Sequence, residues 1–265
     1  MSKLQILIVG ALAMMLVAGA ASATDVPSDA AVFLRVFNDC PFSTLTSTNN
    51  YPTSIEISDT KNSCGAGFAN RHCWRFSQDG STAQLFFNNN GFRFSADVTA
   101  TGTGEGEIGI GISPWWSQLV DGVFNMRTTD GEVACFGGRL PFYTFTGSNG
   151  VTYAKGTTVR LTIEYLPNGL SEAEPATIEY TYDDGTAYSS GPLPFDMGNP
   201  DEDPPYGLWG ILNEATAGGN FQFFIGEGPE DGNLDVTWEN MTFEDLGNAV
   251  AIEGSTWSNV KSMFR

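Results

Sequence analysis

One histidine, His72, in 265 residues rules out much of the chemistry that soluble enzymes use. A histidine-based metal centre has no second imidazole. The segment "GFANRHC" around it offers no nucleophile elbow for a serine triad. Basic residues are scarce as well: 12 Lys and Arg stand against 31 Asp and Glu, a net charge of −19 that repels nucleic acid and anionic lipid headgroups. The four cysteines include no C-x-x-C pair, which argues against a zinc site. Apolar runs long enough to span a bilayer are missing after the first 20 residues, and helical periodicity is almost absent. A helical bundle and a multi-span membrane protein are therefore excluded.

What is present begins with a leader. Lys3 precedes an apolar run from Leu4 to Ala20 that ends in Ala21-Ser22-Ala23, the basic, apolar and small-residue order of a cleaved secretory signal. Cleavage is expected after Ala23, leaving 242 residues in an extracytoplasmic compartment. The leader takes Lys3 and no acid with it, so the mature balance is −20. No membrane insertion is expected after cleavage. Disulfides persist outside the cytoplasm. Cys40, Cys64, Cys73 and Cys135 allow three pairings. Cys40–Cys64 with Cys73–Cys135 is the expected one, because "HCWRFS" and "EVACFGG" look like neighbouring strands.

The mature chain is a succession of short β-branched and aromatic runs divided by Gly, Asn, Asp and Pro. Phe92, Phe94, Ala96 and Val98 alternate with Arg93, Ser95 and Asp97. Val159, Leu161, Ile163 and Tyr165 alternate with Arg160, Thr162 and Glu164 in the same way. Further runs are "AVFLRVFN", "TSIEIS", "AQLFFN", "EIGIGIS", "DGVFNMRT", "ATIEYTYDDG", "YGLWGIL", "NFQFFIG" and "LDVTWENMTFED". Asp184-Gly185 supplies a tight hairpin turn. More than ten half-buried strands require two stacked sheets. The fold expected is an all-β, two-sheet antiparallel sandwich over residues 24–246, followed by a linker and amphipathic tail at 247–265. In that tail Trp257, Val260 and Phe264 share one face of a short C-terminal helix. Two segments, "NDCPFSTLTSTNNYP" and "GPLPFDMGNPDEDPPYG", are expected to be loops.

The segments "FRFSADVTATGTGEGEIGIGIS", "GVFNMRTTDGEVACFGG", "YAKGTTVRLTIEYLPN" and "LDVTWENMTFED" resemble the concanavalin A-like lectin and glucanase superfamily, a jelly roll shared by LamG-type modules and laminarinase-type hydrolases. The resemblance implies a fold, and a shared fold licenses no activity by itself. In the hydrolases it implies a row of three carboxyls on one strand face, including a close acid and nucleophile pair. Here Glu107 takes the first position. Gly109 stands at the second, and Gly111 or Ile112 at the third. Pairing Glu105 with Glu107 is the remaining hydrolase option. A lyase needs a base, commonly histidine or tyrosine, with an arginine to neutralise charge; His72 beside Arg71 and Arg75 is the histidine candidate.

The reading is therefore a secreted, non-catalytic domain that binds a glycan or an extracellular protein. One alternative is a glycan-active hydrolase or lyase with a displaced acid. The other is a structural or adhesion protein of the cell envelope. Expected ligand-binding residues are Glu107, Trp115, Trp116, Asn125 and Arg127, with Arg93, Trp209 and Gln222 as outer additions. No cofactor is expected beyond a structural calcium ion, which relatives hold at the sandwich rim; Asp196, Asn199, Asp201 and Asp203 are its candidate ligands. Asn240-Met241-Thr242 is a glycosylation sequon in form only, because it falls in an expected strand.

Overall fold

A computed structural model describes residues 25–64, 66–120, 122–196 and 209–248. The expected leader, the C-terminal tail with its expected helix, and Asn199, Asp201 and Asp203 lie outside the described residues. Fifteen strands and one short helix are described. They are β1 (Asp29–Asn38), β2 (Thr44–Asn50), β3 (Ser54–Thr60), β4 (Ala69–Ser77), β5 (Asn90–Thr101), β6 (Glu105–Pro114), β7 (Gly122–Arg127) and β8 (Val133–Phe136). Next come β9 (Tyr143–Thr144), α1 (Phe145–Asn149), β10 (Val159–Leu166), β11 (Thr177–Asp183), β12 (Ala187–Ser189), β13 (Leu193–Pro194), β14 (Ala215–Phe224) and β15 (Asn233–Asn248).

The strands form a two-sheet antiparallel jelly-roll sandwich. The front sheet has the order β1-β4-β14-β6-β7-β8-β9, and the back sheet β12-β11-β10-β5-β15-β3-β2, with β13 beside β11. Alternation places each strand. On β5, Phe92, Phe94, Ala96, Val98 and Ala100 are buried, and β10 offers Val159, Leu161, Ile163 and Tyr165 to the same layer. From the front sheet Trp74, Phe76, Ile108, Ile110, Phe124, Phe221 and Phe223 meet them. Trp238 of β15 crosses this layer: its ring is 6.4 Å from that of Trp74 at 81°, and its Nε1 donates to the Gly109 carbonyl at 2.8 Å. That bond ties the back sheet to the middle of β6. Removing a buried tryptophan of this kind costs about 3–5 kcal/mol.

The structure changes several sequence expectations. "STLTSTNN" is not loop: β2 is an edge strand paired with β3 along its whole length, its polar side chains suiting an edge. "AQLFFN" makes only two isolated bridges, Ser77↔Ala83 and Phe86↔Ala215. Residues 209–211 of "YGLWGIL" are turn and bend, not strand. The last strand reaches Asn248, two residues beyond the expected boundary. Asp184-Gly185 does close a hairpin, between β11 and β12, with Gly185 at φ 109°.

Cys40 and Cys64 form a disulfide with Cα atoms 5.7 Å apart. Cys73 and Cys135 do not pair; both are buried thiols. The front-sheet order explains why. Cys73 on β4 and Cys135 on β8 are separated by β14, β6 and β7, about 19 Å at ordinary strand spacing, far beyond disulfide reach. Cys135 also joins the core, whereas Cys73 alternates with core-facing Trp74 and looks outward.

Candidate functional site

Outward from the core, the front sheet carries its polar side chains in register. Direct partners run Arg71–Gln222–Glu107–Arg127 across β4, β14, β6 and β7. One rung along, they run Cys73–Asn220–Gly109–Asn125. The next is Arg75–Gly218–Gly111–Val123. Neighbouring members of a rung are about 5 Å apart, so the floor is a compact grid of guanidinium, amide and carboxyl groups over bare glycine backbone.

Glu107 is the only carboxylate in these three rungs. Gln222 Nε2 donates to it at 3.5 Å, and Arg71 Nη1 donates to Gln222 Oε1 at 3.0 Å. Burial raises the Glu107 pKa above the ordinary carboxylate range, against the pull of Arg127, an Asn125 hydrogen bond and Arg71. Arg71 is brought down to about 10, by burial first and by Arg75 second, and stays charged at neutral pH. Arg75 is fully enclosed, donating to the Trp74 and Gly219 carbonyls and to Ser113. Arg127 is held by Asp130 and, at 2.8 Å, by Glu132. Cys73 has its pKa raised, because burial outweighs the two arginines, so it is a thiol and not a nucleophilic thiolate.

A strap crosses this floor. The connection after β6 brings Gln118 back over β14 to β4, where its carbonyl accepts from Arg71 Nε at 3.2 Å and its Oε1 lies 3.7 Å from Cys73 Sγ. Trp115 and Trp116, on the same connection, are 52% and 38% exposed.

Glu107, Asn125 and Arg127 thus share one face, with Trp115 and Trp116 on the connection that starts at its edge. Arg93 does not join them. It lies on the outer face of the back sheet, between Glu164 and Glu244, because β5 belongs to that sheet. Trp209 sits between β13 and β14, its backbone bonded to Asp196 and to Ala176 at the start of β11, away from the rungs. The Asp196 carboxylate is taken by Arg139 at 2.6 Å. Among the described residues no group of three His, Cys, Asp or Glu side chains is placed to hold a metal.

His72 is not part of the site. Strand alternation puts it on the opposite face from Arg71 and Arg75, sealed between the sheets, with Nε2 3.1 Å from Asp59 Oδ2. The same alternation gathers Arg71, Cys73 and Arg75 on the outer face, a signal available in the sequence. Asn220 and the Gln118 strap gave no such signal, because strand order and loop path bring them in. The glycines of the carboxyl row are also explained. A Cβ at Gly109 would stand 2.0 Å from the Phe124 carbonyl oxygen, and one at Gly111 2.2 Å from that of Gly122. Glu105 is no partner acid for Glu107, since Lys155 Nζ holds it at 2.8 Å and Thr128 donates to it.

Neither a protein-family model nor a curated protein sequence matches the chain. Solved structures do. The crystal structure of alginate lyase A1-II′, a member of polysaccharide lyase family 7, superposes with a TM-score of 0.50 at 10% identity, covering 84% of this chain and 96% of that one. Alginate lyase AlgAT5 of the same family gives 0.43 at 10% identity, over 84% and 99%. At this identity the likeness shows the jelly-roll fold alone. The expectation of a non-catalytic binding domain, which rested on a lectin-like resemblance, is corrected here: the solved sandwich that superposes at 0.50 is a polysaccharide lyase and not a lectin.

Proposed function

We propose that the chain is a lyase acting on an acidic, uronate-containing polysaccharide, with Glu107 as its base. The observation that carries the reading is the rung Arg71–Gln222–Glu107–Arg127, which sets a half-buried, pKa-raised carboxyl among charged and amide donors. The lyase-type sandwich supports it.

Elimination in a uronate removes the proton on the carbon next to the carboxylate and expels the glycosidic oxygen across the adjacent bond. That proton is weakly acidic until the carboxylate is neutralised. Arg71 and Gln222 on one side of Glu107 supply the cation and the amide hydrogens for this, while Arg127 on the other side is held in place by Asp130 and Glu132. Glu107 takes the proton; its raised pKa makes it a stronger base than an exposed glutamate. The electron pair forms the new carbon–carbon double bond, the bond to the leaving oxygen breaks, and protonated Glu107 returns the proton to that oxygen. One residue thus serves as base and then acid, which suits a rung with no histidine and no tyrosine. Against the high negative charge of the chain, the cation this face offers an anionic ligand is Arg71, whose partners here include the neutral Gln222 amide and Gln118 carbonyl, whereas Arg127 is paired with Asp130 and Glu132 and Arg75 is enclosed.

The test is incubation of the full chain with a panel of acidic polysaccharides, read by the ultraviolet absorbance of the unsaturated uronate end. Absorbance that grows and disappears with Glu107→Gln supports the proposal. New reducing ends without the double bond would mean hydrolysis and sink it.

A further inference from the structure

The rung next to Glu107 has a property that elimination chemistry does not use. Asn220 and Asn125 are the direct cross-strand partners of Gly109, one on each side. They are 2% and 3% exposed, and each has an Oδ1 with no hydrogen-bond partner among the described residues. Asn125 also faces Glu107 and draws that carboxyl's pKa down. Buried carbonyl oxygens are nearly always paired, and two orphans on one rung form a pattern. Between them the floor is bare: Gly109 has no side chain, and the Phe124 carbonyl leaves no room for one. The gap between the two partner strands is about 10 Å, and the Gln118 strap passes over the Asn220 side of it.

We infer that Asn220 and Asn125 form a subsite that accepts hydrogen bonds from the hydroxyl groups of one sugar ring seated over Gly109. An unpaired oxygen acceptor calls for a donor, so the group it reads is a hydroxyl and not a carboxylate. The division of labour follows from the registers. The arginine rung takes the charge of the glycan, and the asparagine rung takes the hydroxyls of the ring beside it. A site built to pair a hydroxyl discriminates strongly against a ligand lacking it, because the buried acceptor is then left orphaned. The identity of the glycan as a uronate rests on the lyase reading; the hydroxyl subsite itself does not.

The experiment measures binding, so that turnover is not needed. Full-length chain carrying Glu107→Gln is titrated with a uronate tetrasaccharide and with versions in which each ring hydroxyl of an inner residue is replaced in turn by hydrogen. One or two deoxy ligands are expected to bind about ten-fold more weakly. Asn220→Leu, close in size and apolar, is expected to weaken the parent ligand about ten-fold, to abolish the penalty of one deoxy ligand, and to leave the melting temperature unchanged or raised. A flat deoxy series, which needs no substitution at Asn220, would overturn the subsite, as would Asn220→Leu binding the parent ligand at full strength. Formation of unsaturated product together with a flat series removes the subsite and keeps the lyase. Hydroxyl-dependent binding with no unsaturated product from the unaltered chain does the reverse, and failure to bind any of these glycans removes both.

Discussion

His72 Nε2 lies 3.1 Å from Asp59 Oδ2, and both side chains are wholly enclosed between the sheets. His72 Nδ1 accepts the Arg35 N–H at 3.0 Å, so the ring proton sits on Nε2 and is donated to Asp59. Burial pushes the Asp59 pKa up, but hydrogen bonds from His72, Ser43 and Asn70 outweigh it and the net shift is downward. Asp59 therefore contributes stability above the ordinary carboxylate pKa of about 4, and that contribution is lost as pH falls through its lower folded value. Asp59→Ala is expected to cost about 3 kcal/mol at neutral pH and less in acid. Urea midpoints of the two proteins measured down the pH scale should converge; parallel curves would show that Asp59 carries no such linkage.

Glu107 titrates in the opposite sense. Its folded pKa lies above the ordinary value, so its protonated form is the more comfortable one in the fold. Stability from this group is fully present below the unfolded pKa and lost as pH rises through the folded one. Glu107→Gln should accordingly raise the melting temperature at neutral pH while abolishing elimination. For the unaltered chain, kcat/KM should climb with pH through the raised Glu107 pKa. A rate that falls over that same interval would mean that Glu107 acts from its protonated form and is not the base.

Where one strand face is buried and the other wet, the sequence reads directly: β5 and β10 fall where Phe92–Val98 and Val159–Tyr165 alternate. The method fails on β4, buried along its whole length on both sides, so hydropathy does not say which face His72 or Arg71 takes. Strand order is a non-local property, and it decided three matters that composition could not. It set Cys73 apart from Cys135, sent Arg93 to the back sheet, and brought Arg71 and Gln222 beside Glu107. The Glu107, Asn125 and Arg127 grouping was legible because β6 and β7 are consecutive neighbours in the sheet.

The cysteines give a direct chemical check. Denatured, unreduced protein should yield two reactive thiols, and a peptide map should join Cys40 to Cys64 alone. In the native state both thiols should react slowly, since burial raises their pKa values and shields them. Opening the Cys40–Cys64 loop by a Ser pair should cost about 3 kcal/mol if chain entropy is the main effect. A native Cys73–Cys135 crosslink would contradict the front-sheet order itself.

Gly109 is where fold and site constrain one another most tightly. Its carbonyl receives the Trp238 indole from the back sheet, and its partners on either side are Asn220 and Asn125. A Cβ there meets backbone, the Phe124 carbonyl, which belongs to a paired strand and has no rotamer into which to retreat. Gly109→Ala must therefore push β6 away from β7, moving Glu107 relative to Arg127 and stretching the Trp238 bond. The expected cost is about 3 kcal/mol, at the upper end for overpacking, with loss of elimination activity well below the melting temperature. Gly226→Ala is the matched control: the nearest atom to its Cβ is the Gly67 carbonyl oxygen at 3.5 Å, an ordinary contact, so stability should change by less than about 0.5 kcal/mol. Equal effects of the two substitutions on the urea midpoint would show that β6 and β7 are not packed this closely, and that the bare floor between the asparagines is not imposed by the backbone.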